Sequence, residues 1–275
     1  MRKFGQQIFL LGGTEKLMST VLKSRQDAKI LLQYCTDKGR RRKKNEDYCG
    51  YYIPEDQTVR DSLGSLFAIS DGVGGSRAGE VASAEAVNVL LQEYYFGDYP
   101  ERVPERLNAA YEQTALHLYD LAERAGSCNK MSCTLTALLL KDDKFYITHI
   151  GDSKAFLLRN GHFIQLTKDH SLVGAFVRMG FLTREQARIH PNRHVLLRSL
   201  GEQPILPPDF YSGNILENDR FFLTTDGIFE HLSEKEIRDF LMNMKSGSEG
   251  IEKLVETANR RGGMDNMTVM LIVPV

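Results

Sequence analysis

Residues 134–166 read TLTALLLKDDKFYITHIGDSKAFLLRNGHFIQL, and the reading of this stretch decides the fold. Four short runs, Thr134 to Leu140, Phe145 to Ile150, Lys154 to Leu158 and His162 to Leu166, are separated by Lys141-Asp142-Asp143-Lys144, Gly151-Asp152-Ser153 and Arg159-Asn160-Gly161. Each run has the length and apolar content of a strand, and each break carries turn residues, so the stretch predicts an antiparallel meander. On its N-terminal side lie two breaker-poor segments, Glu80 to Phe96 and Pro104 to Ala125. The second places Leu107, Ala110, Tyr111, Thr114, Leu118 and Leu121 three or four apart, which predicts two successive helices with an inward stripe. Further upstream, Ala28 to Cys35, the segment around Tyr48, Tyr52 and Ile53, and Leu66 to Ser70 read as strands, the last ending in the turn Asp71-Gly72-Val73-Gly74-Gly75.

On the C-terminal side, residues 171–200 read as an insert, in which the capping box Thr183-x-x-Gln186 opens a short helix and Pro191 stops it. A strand at Arg220 to Thr225, a helix opened by the capping box Ser233-x-x-Glu236, a helix near Ile251 to Arg260 and a strand at Met267 to Val273 complete the pattern. Two strand-rich blocks, each joined to a helix pair, predict an α+β domain in which sheet packs on sheet with helices outside.

With 275 residues the chain holds one large domain or two small ones. Lys plus Arg number 35 and Asp plus Glu 36, a net charge of −1 that offers no bulk attraction to nucleic acid or to an anionic membrane. The longest apolar stretch near the N-terminus, Ile8 to Leu11, is too short for a signal-peptide core or a membrane span, so a cytoplasmic protein without a membrane partner is expected. Cys35, Cys49, Cys128 and Cys133 show no C-x-x-C spacing and read as reduced, mostly buried thiols. Residues 1–27 carry no sustained period and are set apart as an extension of unknown role, leaving 28–275 as the domain.

Five aspartates fall at strand ends or in the adjoining turns: Asp47, Asp71, Asp152, Asp226 and Asp265. Three of them neighbour glycine, in Asp71-Gly72, Gly151-Asp152 and Asp226-Gly227, where a small residue admits close approach. Any one alone is an ordinary turn residue. Carboxylates ~4 Å apart repel by about 4 kcal/mol per pair at an effective dielectric of 20, so convergence of all five would demand cations. Oxygen ligands without His or Cys suit Mg2+ or Mn2+ rather than Zn2+. Pattern alone does not bring the five together in space.

The ordered set Arg42-x-x-Asn45-Glu46-Asp47, Asp71-Gly72-Val73-Gly74-Gly75, Gly151-Asp152-Ser153, Leu166-Thr167-Lys168-Asp169-His170-Ser171, Asp226-Gly227 and Asp265-Asn266-Met267-Thr268 resembles the metal-dependent protein serine/threonine phosphatases of the PPM, or type 2C, family. The stretch Asp169 to Gly201 is similar to the flap of the family's bacterial branch. The resemblance spans about residues 28 to 273. It implies a β-sandwich of two antiparallel sheets flanked by helix pairs, with a flap insert over about 169–201 and a binuclear Mn2+ or Mg2+ centre at one end.

Carried over position by position, the resemblance makes Asp71 the bridge between two metals and gives the Gly72 carbonyl to the second. Asp226 and Asp265 would hold the first metal, and Asp47 would act mainly through water, steadied by Glu46. Asp152, helped by Asp226, would bind a third, weaker metal, and Arg42 would grip the phosphate. The implied activity is hydrolysis of phosphoserine and phosphothreonine by metal-activated water. The implied partners are phosphorylated proteins, among them a Ser/Thr kinase or its substrates, and a monomer is expected. Val73 stands where animal members have a proton-donating histidine. The acid must then be water or another group, with His194 a candidate, although a lone histidine ordinarily sits on the surface or in packing. Ser132-Cys133-Thr134 departs from the family's Gly-Thr or Gly-Ser pair in a way that touches packing more than catalysis.

Two other classes compete. The run Arg40-Arg41-Arg42-Lys43-Lys44 could make the chain a non-catalytic phosphoprotein- or nucleic-acid-binding module, though most charge runs are only solvated. Gly74-Gly75-Ser76-Arg77-Ala78 nearly spells a serine-hydrolase elbow but lacks the last glycine, and Ser76 reads better as a helix cap.

Overall fold

The computed structural model describes residues 9–11, 30–73, 77–126, 131–244 and 250–274. The readings of Ser76 as a cap, of Gly74 and Gly75, and of Cys128 lie outside the described residues, as does most of the extension. The strands are β1 (Phe9–Leu11), β2 (Ile30–Asp37), β3 (Asp47–Tyr52), β4 (Ser65–Val73), β5 (Ser132–Cys133), β6 (Leu135–Lys141), β7 (Lys144–Ile150), β8 (Lys154–Arg159), β9 (His162–Gln165), β10 (Asp209–Asn214), β11 (Arg220–Thr224) and β12 (Met267–Pro274). The helices are α1 (Gln57–Leu63), α2 (Arg77–Phe96), α3 (Val103–Ala125), α4 (Leu172–Arg178), α5 (Arg184–Arg188), α6 (Glu234–Asn243) and α7 (Glu252–Arg260), with a 3-10 turn over Asp226–Glu230. Both expected capping boxes form, at Thr183 with Gln186 and at Ser233 with Glu236.

The strands make two sheets, ordered β1-β3-β4-β6-β7-β10, with β5 on β4, and β2-β12-β11-β8-β9. The pairings within them are antiparallel. Successive side chains on a strand point to opposite faces, and the chain uses both. On β4, Phe67 and Ile69 enter the layer between the sheets with Leu138, Ile147, Phe221 and Met270. Leu66 and Ala68 face outward into a second layer with Leu90 and Tyr94 of α2 and Leu107 and Tyr111 of α3. Beyond the other sheet, Phe156, Phe222 and Leu271 pack with Ile237 of α6 and Val255 of α7. The order is therefore helices, sheet, sheet, helices, as expected from the sequence.

The meander is corrected. β6 and β7 form a hairpin in the first sheet, but β8 pairs with β9 and β11 in the second. Gly151-Asp152-Ser153 is therefore a corner that carries the chain between sheets, not a hairpin turn. Strands buried on both faces look alike whichever sheet they join, and Gly-Asp-Ser suits either connection. Gly151 has φ +104°, and a Cβ there would stand 2.4 Å from Thr134 Cγ2, so the corner closes against the residue joining β5 to β6 only without a side chain. The turn expected at Asp71 is also displaced: β4 continues as strand through Gly72 and Val73, which pair with Cys133 and Ser132.

Candidate metal centre

Each of the five aspartates reaches the same edge of the sandwich by a different route. Asp47 opens β3 and is the register partner of Asp71 on β4, so two carboxylates enter side by side. Asp152 occupies the corner between sheets. Asp226 begins the 3-10 turn after β11, and Asp265 lies in the loop before β12. Burial lifts the Asp71 carboxyl far above its ordinary range, and the nearby charges of Asp47, Asp226, Asp152 and Asp265 lift it further. The charges of the four other aspartates thus all reach Asp71.

Threonine, asparagine and glycine hold this edge together. Thr225 Oγ1 donates to Asp47 Oδ2 at 2.8 Å and accepts the Thr268 N–H at 2.9 Å, tying β3 of one sheet to β11 and β12 of the other. Asn266 Oδ1 accepts the Glu46 N–H, while its Nδ2 donates to the carbonyls of Lys38 and Lys44. One buried amide therefore fixes the loop that carries Arg42. A Cβ on Gly227 would come within 2.0 Å of the Asn266 carbonyl, which explains the small residue after Asp226. At Gly72 a Cβ would meet the Gly79 carbonyl at 2.2 Å, so α2 packs directly on the backbone beside Asp71.

The charge balance is unusual for a protein interior. Burial pushes Asp47 up to about 8 and Asp152 to about 7, with Asp226 adding to both shifts. Burial also raises Asp265, against the opposing pull of Arg42. At Asp226 burial raises the carboxyl, but His194 and Lys154 outweigh it and the net shift is downward. Asp47 Oδ1 is buried with no hydrogen-bond donor among the described residues. Buried polar atoms normally have partners, and an orphaned carboxylate oxygen among four other carboxylates fits a cation. The donor set is all oxygen, which fits Mn2+ or Mg2+. Among the described residues no three His, Cys, Asp or Glu side chains already close as a ligand set.

Two of the carboxylates instead face the chain's own cations. Arg42 donates from Nε to Asp265 Oδ1 and from Nη2 to Asp265 Oδ2, both at 2.8 Å. The expected phosphate-binding arginine and an expected metal ligand thus form a two-pronged pair. His194 stands with Nδ1 3.9 Å from Asp226 Oδ2 and Nε2 3.6 Å from Glu230 Oε1, and its contact with Asp226 raises its pKa. It faces the acidic edge instead of serving as packing.

Lys154 and Asp169 went unassigned in the sequence. Lys154 Nζ donates to the Asp152 carbonyl at 3.0 Å and to Asp169 Oδ2 at 2.5 Å, linking the corner to the base of the insert. Its position two residues after Asp152 at a strand start was the available signal. Beneath it His170 Nδ1 accepts the Gly151 N–H at 3.1 Å, and His149 bonds Thr136 and the Lys168 carbonyl. Burial pushes His149 down to about 3, so it is neutral near pH 7, and burial lowers His170 as well.

Residues 38–266 match the model of the family described as protein phosphatase 2C. The chain is 32% identical over 243 residues to the serine/threonine phosphatase stp of Listeria welshimeri, over 87% of this chain and 94% of that one. The fold is similar to the crystal structure of the Mycobacterium tuberculosis serine/threonine phosphatase PstP/Ppp, with a TM-score of 0.76 and 31% identity over 89% of this chain and 98% of that one. It is also similar to the catalytic domain of the serine threonine protein phosphatase PstP in complex with two manganese ions, with a TM-score of 0.73 and 30% identity over 89% and 98% of the two chains.

Proposed function

The chain belongs to the protein phosphatase 2C family, and from that premise we propose that it is a metal-dependent serine/threonine phosphatase whose acidic edge binds Mn2+ or Mg2+. Asp71, the Gly72 carbonyl, Asp226 and Asp265 hold two ions, Asp47 contributes through water, and Asp152 with Asp226 holds a third more weakly. The observation that carries this reading is the placement of five aspartates at one edge of the sandwich, four of them close enough for their charges to act on Asp71, together with the Asp47 oxygen that has no donor among the described residues. When bound, such cations neutralise charge at a phosphoryl group and lower the pKa of water.

The chain's own residues supply the rest. Arg42 sits at the rim with its side chain 44% exposed, and its Nη1 has no partner among the described residues, leaving donors for a phosphoryl oxygen. Asn266 holds the Arg42 loop in register by the three backbone bonds described above. His194, whose pKa is raised by its contact with Asp226 and by the charge of Glu230, is the proton donor to the leaving alkoxide in place of the histidine that Val73 replaces. Residues 28–275 form the phosphatase domain, with 1–27 as an extension from which Phe9–Leu11 adds an edge strand beside β3. Substrates are phosphorylated proteins, including a Ser/Thr kinase or its targets, met by a monomeric, cytoplasmic enzyme in signal transduction. Among the described residues no helix is long and apolar enough to cross a membrane.

The deciding experiment is turnover of a phosphothreonine peptide with Mn2+, with chelator, and in Asp226→Asn. Activity that requires Mn2+ and is lost in the variant is expected; wild-type turnover no higher than that of Asp226→Asn would remove the catalytic reading.

A further inference from the structure

A groove of about 1080 Å3 runs from the acidic edge, where Asp152 and Asp226 line it, out between β9, the insert with α4 and α5, and the start of α6. Its floor is apolar, with Phe163 of β9 stacked on Phe156 and Phe229 close by. Its walls are not neutral. Apart from the Asp152, Lys154, Asp169 and Asp226 group, seven Lys or Arg side chains line it against three Glu. Two of those glutamates are already engaged, Glu234 by Arg184 and Glu230 by Arg193.

Four exposed cations have no carboxylate within salt-bridge distance among the described residues; Arg178, at the end of α4, donates instead to the Asp169 carbonyl, which leaves three. Lys168 follows β9, Arg188 ends α5 and Lys235 lies in the first turn of α6, and none has a carboxylate within salt-bridge distance among the described residues. They come from three separate elements yet line one groove that opens onto the carboxylate cluster. In a chain of net charge −1, this surplus is local. Three such cations against one carboxylate unpaired among the described residues, Glu185, leave an excess of positive charge on the groove wall that favours an anionic occupant and acts on encounter and orientation.

Resting on the phosphatase reading, we propose that this groove selects its substrates. The preferred ones are phosphopeptides carrying acidic side chains next to the phosphoresidue, with the phosphate at the Asp71 cluster and the flanking carboxylates on Lys168, Arg188 and Lys235. The apolar floor accommodates the intervening chain. The groove thereby distinguishes the acidic sequence context of a phosphosite from a neutral or basic one.

The test uses the full chain with Mn2+ and phosphothreonine peptides of equal length whose flanks are glutamate, glutamine or lysine, placed on either side of the phosphoresidue. The kcat/KM ratio of glutamate to glutamine peptides should be about tenfold at low salt, from three exposed pairs, and shrink as ionic strength rises. In Lys168→Glu/Arg188→Glu/Lys235→Glu the order should invert in favour of lysine flanks. Arg124→Glu, a charge reversal at the end of α3, should keep the wild-type order. Equal kcat/KM for all peptides, with an aryl phosphate still hydrolysed, would overturn the groove assignment and spare the phosphatase reading. If the aryl phosphate too is untouched, the phosphatase reading falls, and fluorescence anisotropy of the labelled peptides decides the groove alone. Tighter binding of the glutamate peptide, lost in the triple variant, upholds the groove, and equal affinities reject it.

Discussion

The layer between the sheets and the edge where the aspartates gather are built from the same strands, yet they meet opposite demands. Between the sheets Phe67, Leu138, Ile147 and Leu223 are fully buried and need no partner beyond one another. A few residues along β4, the charges of four other aspartates reach Asp71, and Asp47 keeps a buried oxygen without a donor among the described residues. The first region stabilises the fold; the second is held against its own repulsion by Thr225, Asn266 and the close packing at Gly72 and Gly227. The contrast teaches that the edge is a strained consequence of the core's rigidity, because only a well-packed frame can keep such carboxylates near each other.

Breaking the frame should have the largest effect. Phe67→Ala, which empties a site between the sheets, is expected to cost about 3 to 5 kcal/mol in urea unfolding. Neutralising the edge should separate stability from activity. Asp71→Asn is expected to lower kcat/KM about 100-fold or more, yet to raise the melting temperature of the metal-free protein at pH 8, because repulsion is relieved. A melting temperature that falls in this variant would mean that Asp71 serves the fold.

Asn266→Ala sharpens the comparison at the seam. It removes three hydrogen bonds to the Arg42 loop, which should cost about 2 kcal/mol and raise KM for phosphopeptides more than it lowers kcat. The smallest effect is the pH dependence of metal-free stability. Asp47 and Asp152 have folded-state values raised to about 8 and about 7, so the folded chain binds more protons than the unfolded one. Their favourable contribution is then whole below the ordinary carboxylate range near ~4 and is lost as pH climbs to about 8. Melting curves between pH 5 and 9 should fall by a few degrees without metal, and Mn2+ should restore most at the high end.

Much of this was legible in the residues. The helix pair before the meander, both capping boxes and the strand at Arg220 to Thr225 follow from spacing and cap chemistry, which are local. The ordered motifs named the five aspartates and Arg42 through resemblance, and the Mn-bound relative has the same fold. The corner at Gly151-Asp152-Ser153 was not legible as a corner, nor was the continuation of β4 past Asp71. Both depend on which sheet accepts the next strand, and a strand buried on both faces carries no mark of that choice. α1, α4 and β10 escaped because short elements show little periodicity.

The pairing of Arg42 with Asp265, the approach of His194 to Asp226 and the unbalanced cations around the groove are likewise absent from the string of residues. By itself the sequence determined the elements, their apolar faces and the acidic motifs, since these rest on neighbours a few positions apart. Only the tertiary structure decided which charges meet and which are left without counter-ions. Those energies depend on distance and burial across segments as far apart as Arg42 and Asp265, which no local pattern encodes.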